Sequence, residues 1–151
     1  HMGGHMDQAF RWASLGGHVD ITCHDDADEK AASLLERYPD QITLSTDSNG
    51  SFPKWNEDKS AIVGMGAGSI SELIKYLDKL LASGFDKSLA IRCVTENPAS
   101  AMKLNGKGRI EKDYDGDIVI RNGSALRYVI ANGRVMLREG IAKKSMYDDV
   151  L

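Results

Sequence analysis

The sequence has 151 residues, of which 42% are hydrophobic and 27% are charged, and its formal net charge is -3. This composition argues against a disordered chain, and the small net charge gives no reason to expect nucleic acid or an anionic membrane as a partner. No apolar run approaches the roughly 20 residues that a membrane-spanning helix needs. We therefore expect a globular protein with no nucleic-acid or membrane partner.

The two ends and the cysteines suggest where the native chain lies and which compartment it occupies. The first six residues, His1–Met6, read as an expression-tag remnant, so residues 1–6 are left out of the fold prediction. Residues 143–151 are expected to form a C-terminal tail, of which Met146–Leu151 are either disordered or used in docking. Cys23 and Cys93 lie far apart in apolar stretches without CxxC spacing, which predicts buried free thiols in a reducing compartment. With no signal peptide visible, we expect a cytoplasmic location.

A helix, a strand, a second helix and a second strand follow one another in the first third of the native chain. The first helix ends at Gly16, since glycine adopts the left-handed cap conformation cheaply. The second begins at Asp25 or Asp26, and further acids there suit the positive end of the helix dipole. Strands that alternate with a helix pair in parallel. The predicted elements are a helix over Asp7–Leu15, a strand over His18–Cys23, a helix from Asp26 to about Tyr38 and a strand over Ile42–Ser45.

The segment Ser48–Gly68 is rich in Gly, Ser and Asn, and it predicts a long loop without regular structure, which in a folded domain is usually functional or disordered. Its last residues, Gly64–Gly68, lead into a helix, where Ser69 and Glu72 have the spacing of a capping box. Apolar residues then repeat with helical period and predict one buried face. They are Ile70, Leu73, Ile74, Leu77, Leu80 and Leu81.

Two further helices and an antiparallel meander complete the predicted chain. Asp86 is the expected N-cap of one helix, and Asn97, which stands before Pro98, is the expected N-cap of the other. From Gly108 onward the periodicity changes to short β runs separated by Asn-Gly pairs, which are strong hairpin signals. The predicted strands are Asp117–Ile120, Leu126–Ala131 and Arg134–Arg138.

The carboxylate that follows the second strand, Asp47, is the leading candidate for chemistry. Enzymes of the α/β class place their sites at the C-terminal ends of parallel strands, and here a Ser-Asn-Gly-Ser turn follows the acid at once. Ser51 lies four residues on, and a carboxylate and a hydroxyl that face one cavity would suit proton transfer and substrate anchoring. The plainer interpretation is that Asp47 only closes the strand or starts an Asx turn, and the local sequence leaves the two interpretations about even.

Other candidate sites have less support. Gly64–Gly68 could hold an anion on backbone N–H groups, but it lacks the Walker and dinucleotide-binding registers, so a flexible lid or helix entry is the stronger expectation. His18 and His24 flank one strand six residues apart, which is a poor spacing for a metal pair. A cluster of acids lacks the glycine and the terminal glutamate of a calcium loop, and it reads as a charged helix start. These acids are Asp25, Asp26 and Asp28.

Taken together, the segments resemble the amidohydrolase superfamily, and within it the isoaspartyl dipeptidases. The Asn-Pro-Ala helix, the Lys-Gly turn and the β meander are shared widely in the superfamily, whereas the Ser-Thr-Asp-Ser-Asn-Gly-Ser stretch points to the isoaspartyl dipeptidases. The resemblance extends from about Asp7 to Gly140. The residues that carry it are Gly16–Thr22, Thr43–Ser51, Thr95–Ala99, Leu104–Gly108, Asp117–Val119 and Val129–Arg134.

The resemblance implies an α/β fold, a TIM-like (β/α)8 barrel with a small antiparallel β-sandwich, and a site that binds two zinc ions. Residues 7–107 would supply the last two βα units of the barrel and residues 108–142 part of the sandwich. In the family, the acid that ends the eighth strand binds metal and shuttles protons, and Asp47 matches it. The family's serine four residues on contacts the substrate carboxylate, and Ser51 matches it. The implied reaction is hydrolysis of β-aspartyl dipeptides by metal-activated water.

The resemblance also implies that this chain is a C-terminal portion. The family's metal-binding histidines and carbamylated lysine would lie upstream, and one carboxylate cannot hold a catalytic zinc, which needs about three protein ligands. We therefore expect this portion alone to be inactive. Its open strand edges would favour a homo-oligomer or completion by the N-terminal part of the barrel. The alternatives are another amidohydrolase, such as a deacetylase or a dihydroorotase-like cyclic amidase, and a non-catalytic α/β module that binds or assembles.

Overall fold

Helices and strands are mixed through the first two thirds of the chain, and strands alone follow. The structure is a computed structural model, and it describes residues 5–48 and 50–143. The elements are α1 (Met6–Ser14), β1 (Val19–Thr22), α2 (Ala27–Leu35), β2 (Ile42–Ser45), β3 (Ser51–Trp55), β4 (Ile62–Ala67), α3 (Glu72–Ala82), α4 (Lys87–Arg92), α5 (Glu96–Ala101), β5 (Ile118–Asn122), β6 (Ala125–Ala131), β7 (Arg134–Arg138) and β8 (Ile141–Ala142).

The two predicted strands β1 and β2 form a parallel pair joined by the crossover helix α2, which confirms the prediction. Asp20 lies opposite Thr43, and Thr22 lies opposite Ser45. Successive side chains of a strand point to opposite faces, so these four polar residues share one face of the pair. The alternate residues are apolar and belong to the buried core, and they are Val19, Ile21, Ile42 and Leu44.

A layer of helices covers the apolar face of the β1–β2 pair. Helix α2 packs on both strands, and α3 and α4 pack on α2. Leu34 and Leu35 of α2 and Leu80 of α3 are almost completely buried in this layer. Burial of one such side chain contributes about 1.5–3 kcal/mol relative to leaving it exposed. The apolar face therefore holds the α/β part together.

Helix α3 begins later than the capping box predicted. Ile70 precedes the helix and is 79% exposed, so its assignment to the buried face was wrong. The box itself does not form, because the Glu72 carboxylate lies 2.5 Å from Lys75 Nζ and the Ser69 hydroxyl lies 2.8 Å from that of Ser71. A local ion pair and a hydroxyl pair have replaced the reciprocal cap.

The segment predicted as a long loop, Ser48–Gly68, is mostly a β-hairpin, and that prediction was wrong. Strands β3 and β4 pair antiparallel, with Ser51 opposite Ala67 and Pro53 opposite Met65. Pro53 has no N–H to donate, and a two-stranded ribbon consists only of edges, where proline is tolerated. The proline and the glycines of β4 therefore weaken the strand pattern in the sequence, although they still allow the two strands to form.

The cap of α4 is confirmed, since Asp86 Oδ1 accepts a hydrogen bond of 2.9 Å from the Leu89 N–H. Asn97, however, is not the cap of α5. It lies inside that helix and is only 2% exposed. Its amide nitrogen donates to the carbonyl oxygens of Pro39 at 2.8 Å and Ile42 at 2.7 Å. Asn97 therefore ties α5 to the start of β2.

The predicted meander is present as the four-stranded antiparallel sheet β5-β6-β7-β8. Asn132 and Gly133 join β6 to β7 with φ angles of 48° and 72°, the left-handed pair that a type I′ hairpin turn requires. Strand β8 was not predicted. The Arg121 guanidinium of β5 pairs with the Asp78 carboxylate of α3, which connects the meander to the helical layer.

A cluster of three charged side chains stabilises the segment that leads into the meander. Lys107 Nζ lies 2.7 Å from an Asp115 carboxylate oxygen and 2.6 Å from one of Asp117. Asp117 also accepts a hydrogen bond of 2.7 Å from the Asn132 N–H. Hydrogen bonds to the two carboxylates raise the pKa of Lys107 to about 12. Hydrogen bonds from Lys107, and then from Asn132, hold the pKa of Asp117 below its usual value.

The pH dependence of the meander follows from these two shifts. Asp117 has a lowered pKa in the fold, so its contribution is present above about pH 3.8 and is lost as the pH falls further. Lys107 has a raised pKa, so its contribution is present below pH 10.5 and is lost as the pH rises through about 12. We expect the free energy of unfolding, measured by urea titration at each pH, to lose the contribution of this cluster only outside this window. Lys107→Met should remove the alkaline change, and an unaltered alkaline profile in that variant would contradict the assignment.

Cys23 and Cys93 are free and buried, as predicted. Burial is the main cause that raises the pKa of each thiol to about 12, so both stay protonated and unreactive near neutral pH.

Among the residues that the structure describes, no helix has the length and apolar character needed to cross a membrane. The predicted tail over Met146–Leu151 lies outside the described residues.

Candidate functional site

The site candidate Asp47 lies just beyond the carboxyl end of β2. Its side chain is exposed, and its φ angle of 47° places it in the left-handed region that few side chains other than Asn and Asp adopt readily. The strand behind it is held by a 2.7 Å hydrogen bond from the Cys23 N–H to the Ser45 carbonyl. A fixed strand thus ends in a sharp change of direction that exposes one carboxylate.

Two glycines allow the backbone to pack closely around Asp47. The Gly50 N–H donates to the Asp47 carbonyl at 2.9 Å, and the Gly68 N–H donates to the Gly50 carbonyl at 3.2 Å. A Cβ atom on Gly50 would lie 2.8 Å from the Asp47 carbonyl oxygen, and one on Gly68 would lie 2.9 Å from the same oxygen. Any side chain at either position would push the loop away. Asn49, which belongs to the predicted turn, lies outside the described residues.

Ser51 is the first residue of β3 and is exposed. It follows the Asp47–Gly50 turn directly, so the turn and the hairpin base bring both predicted site residues to the carboxyl end of β2. The hairpin was not predicted, yet it is the element that positions Ser51, because the pairing of Ser51 with Ala67 fixes the hairpin base.

The sequence prediction missed a carboxylate on the polar face of the β1–β2 pair. Asp20 accepts a hydrogen bond of 2.8 Å from the Thr43 hydroxyl at Oδ1 and one of 2.6 Å from the Ser45 hydroxyl at Oδ2. The second distance is typical of a charge-assisted O–H···O⁻ bond. The alternation of polar residues along both strands was the available signal, since it places their side chains on one face.

The weaker candidates do not gather into a site. His24 is exposed and lies 3.3 Å from the Asp25 carboxylate, and His18 is exposed as well. Asp26 pairs with Lys30 at 2.6 Å, and the hydrogen bond from that lysine is the main cause that lowers the pKa of Asp26. Most of Gly64–Gly68 lies in β4, so the expectation of a lid or helix entry there was wrong.

The described side chains do not form a metal site by themselves. No group of three or more His, Cys, Asp or Glu residues that could hold a metal ion occurs in the ranges 5–48 and 50–143. A catalytic zinc ion takes about three protein ligands. Asp47 could therefore contribute one carboxylate to a site whose other ligands come from elsewhere.

One family model and several solved structures are similar to this chain. The model of the amidohydrolase family matches residues 7–144. A solved β-aspartyl dipeptidase from Fervidobacterium islandicum AW-1, in complex with a β-Asp-Leu dipeptide, is 27% identical with a TM-score of 0.83, over 94% of this chain and 39% of that one. A second structure of β-aspartyl dipeptidase from that organism is 24% identical with a TM-score of 0.76, over 94% of this chain and 37% of that one.

An N-acetylglucosamine-6-phosphate deacetylase from Pasteurella multocida also matches. It is 14% identical with a TM-score of 0.62, over 80% of this chain and 37% of that one. At this identity the likeness concerns the fold alone, and the same holds for the 24% identical structure. The chain spans less than two fifths of the length of each of these three proteins.

Proposed function

The chain belongs to the amidohydrolase family, and on that premise we propose that the protein is an isoaspartyl dipeptidase, a hydrolase of β-aspartyl dipeptides. The observation that carries this proposal is the position of Asp47 at the carboxyl end of a parallel strand, with Ser51 one turn further on. The 27% identical relative, whose structure contains a β-Asp-Leu dipeptide, supports the choice of substrate.

We propose that residues 7–107 contribute the last two βα units of a TIM-like barrel and residues 108–142 part of a β-sandwich. The parallel pair β1–β2 with its covering helices supports the first part, and the antiparallel meander supports the second. Sites in such barrels lie at the carboxyl ends of the strands, where Asp47 lies. Other segments of the whole protein would close the barrel around this edge.

Asp47 is proposed as the acid–base residue of the reaction. Its carboxylate accepts a proton from the attacking water as the water oxygen bonds to the amide carbon. It returns that proton to the nitrogen of the leaving amine as the C–N bond breaks. An exposed carboxylate held by a tight turn suits this role, because it can meet both the water and the leaving group without moving the strand.

Zinc is the proposed cofactor, two ions in the complete site, with Asp47 as one ligand. A bound zinc ion lowers the pKa of water and polarises the carbonyl group. The described residues supply too few ligands for a site of their own, so we also propose that this chain alone is inactive. We retain the cytoplasm as the proposed location, since both cysteines are free.

A substrate panel tests the proposed function. The whole protein, loaded with zinc, should hydrolyse β-Asp-Leu and leave α-Asp-Leu intact. Preferred turnover of an N-acetylated sugar phosphate or of a cyclic amide would replace the proposal with a deacetylase or a cyclic amidase. Absence of turnover on the whole panel would favour a module that binds or assembles.

Ser51→Ala should raise the KM for β-Asp-Leu by about tenfold and change kcat much less. A hydroxyl that donates to a substrate carboxylate contributes about 1.5 kcal/mol, which corresponds to roughly that factor. Ser88→Ala, on the exposed surface of α4, is the matched control and should leave KM unchanged. A KM of the Ser51→Ala variant within twofold of that of the unmodified protein would contradict a role for Ser51 in substrate binding.

We further propose that the protein is a homo-oligomer. The hairpin exposes four large apolar side chains, which are Trp55, Ile62, Val63 and Met65. Two paired strands are marginally stable in water unless another surface packs against them. Light scattering of the whole protein should give a mass above that of one chain, and a stable monomer would contradict this proposal.

A further inference from the structure

We propose that Asp20 is a positioning residue for Asp47, a role that rests on the proposed function and extends it. Asp20 lies on β1, and its carboxylate binds two hydroxyls of β2, those of Thr43 and Ser45. Ser45 is the last residue of β2 and stands two residues before Asp47. The carboxylate therefore holds the part of the strand from which Asp47 enters its loop.

The two hydrogen bonds fix β2 in a way that backbone pairing alone does not. They attach side chains on the polar face, whereas the 2.7 Å bond from the Cys23 N–H to the Ser45 carbonyl attaches the backbone. Ser45 is thus held at two points, its hydroxyl and its carbonyl. These two attachments oppose rotation of the strand end about its own axis and sliding along β1.

The residues that follow Ser45 connect the fixed strand end to the Asp47 loop. The Thr46 hydroxyl accepts a hydrogen bond of 3.2 Å from the Ser48 N–H, and the Asp47 carbonyl accepts one of 2.9 Å from the Gly50 N–H. Each bond spans only a few residues, so the direction of the loop depends on the direction of the strand end. A catalytic group displaced by about 1 Å can lose on the order of 100-fold in rate.

Asp20→Ala tests the inference in the whole protein. We expect kcat for β-Asp-Leu to fall by about 10- to 100-fold, the usual effect of removing a residue that orients a site ligand, with KM within about twofold. The same variant should speed amide exchange at Gly50 by about five- to tenfold and leave exchange at Gly133 unchanged. Asp28→Ala, which removes a half-buried carboxylate of α2, is the matched control and should leave kcat and exchange at Gly50 unchanged.

A double variant sharpens the test. Because Asp20 and Ser45 share one contact, Asp20→Ala combined with Ser45→Ala should lower kcat no further than the more impaired single variant. If Asp20→Ala does not fold, Ser45→Ala tests the same contact with a smaller change. A kcat and a Gly50 exchange rate within twofold of the unmodified protein would overturn the inference.

A merely structural role for Asp20 would speed exchange at Gly50 and Gly133 alike and leave kcat unaltered, and that result would also overturn the inference. If the unmodified protein hydrolyses no β-aspartyl dipeptide, the proposed function fails. The exchange rate at Gly50 then decides by itself whether Asp20 positions the Asp47 loop.

Discussion

Asp47→Asn in the whole protein should lower kcat for β-Asp-Leu hydrolysis by about 10³-fold or more, because the amide can neither accept nor return the proton of the reaction. The backbone should tolerate this change well. Asp47 has a φ angle of 47°, and asparagine is at least as well suited to the left-handed region as aspartate. The loss of rate can therefore be assigned to the chemistry of the side chain, and steady-state kinetics on purified protein measures it.

Asp113→Asn is the matched control for Asp47→Asn. Asp113 is also exposed and has a φ angle of 70°, so the same substitution occurs in a similar backbone conformation outside the site. Its kcat should be unchanged.

The 151-residue chain alone, assayed with zinc and a β-aspartyl dipeptide, should show no turnover. Clear turnover by this chain that Asp47→Asn abolishes would contradict the proposal that other segments complete the site.

Asn97→Leu should lower the free energy of unfolding by about 2–4 kcal/mol, which is the largest stability effect expected for a single polar side chain in this fold. The variant leaves the carbonyl oxygens of Pro39 and Ile42 without the donors that now lie 2.8 and 2.7 Å away. Leucine has the same number and branching of side-chain heavy atoms but bulkier methyl groups, so the cost combines the lost hydrogen bonds with overpacking of a buried site. Urea denaturation followed by circular dichroism measures the change.

Asn105→Leu is the control for this prediction, since Asn105 lies in an exposed turn beyond α5. It should alter the unfolding free energy by no more than about 0.5 kcal/mol. If Asn97→Leu changes the unfolding free energy by no more than the control does, Asn97 does not hold α5 to the start of β2.

The parts of the fold that depend on local signals could be predicted from the sequence. The β1–β2 pair follows from apolar β-branched runs separated by an amphipathic helix, and its parallel pairing follows from that order. The meander follows from its Asn-Gly turns, of which Asn132–Gly133 has the left-handed angles expected. The position of Asp47 at the end of β2 follows from the strand that precedes it.

The parts that depend on distant contacts could not be predicted. Pro53 and the glycines of β4 have low strand propensity, and only their pairing with each other turns Ser48–Gly68 into a hairpin. Asn97 stands before a proline, which predicts an N-cap. Its amide nitrogen instead donates hydrogen bonds to two carbonyl oxygens more than fifty residues away in sequence. Asp20 reads as one polar residue in a strand, and its role depends on hydroxyls of β2 that pairing brings opposite it.

A crystal structure of the whole protein with zinc and a β-aspartyl dipeptide tests the central claim most directly. The account predicts an Asp47 carboxylate oxygen about 2.0–2.2 Å from a zinc ion, at the carboxyl end of β2. It also predicts the Ser51 hydroxyl within hydrogen-bond distance of a substrate carboxylate. A zinc site that is complete without Asp47, with that carboxylate directed into solvent, would contradict the account.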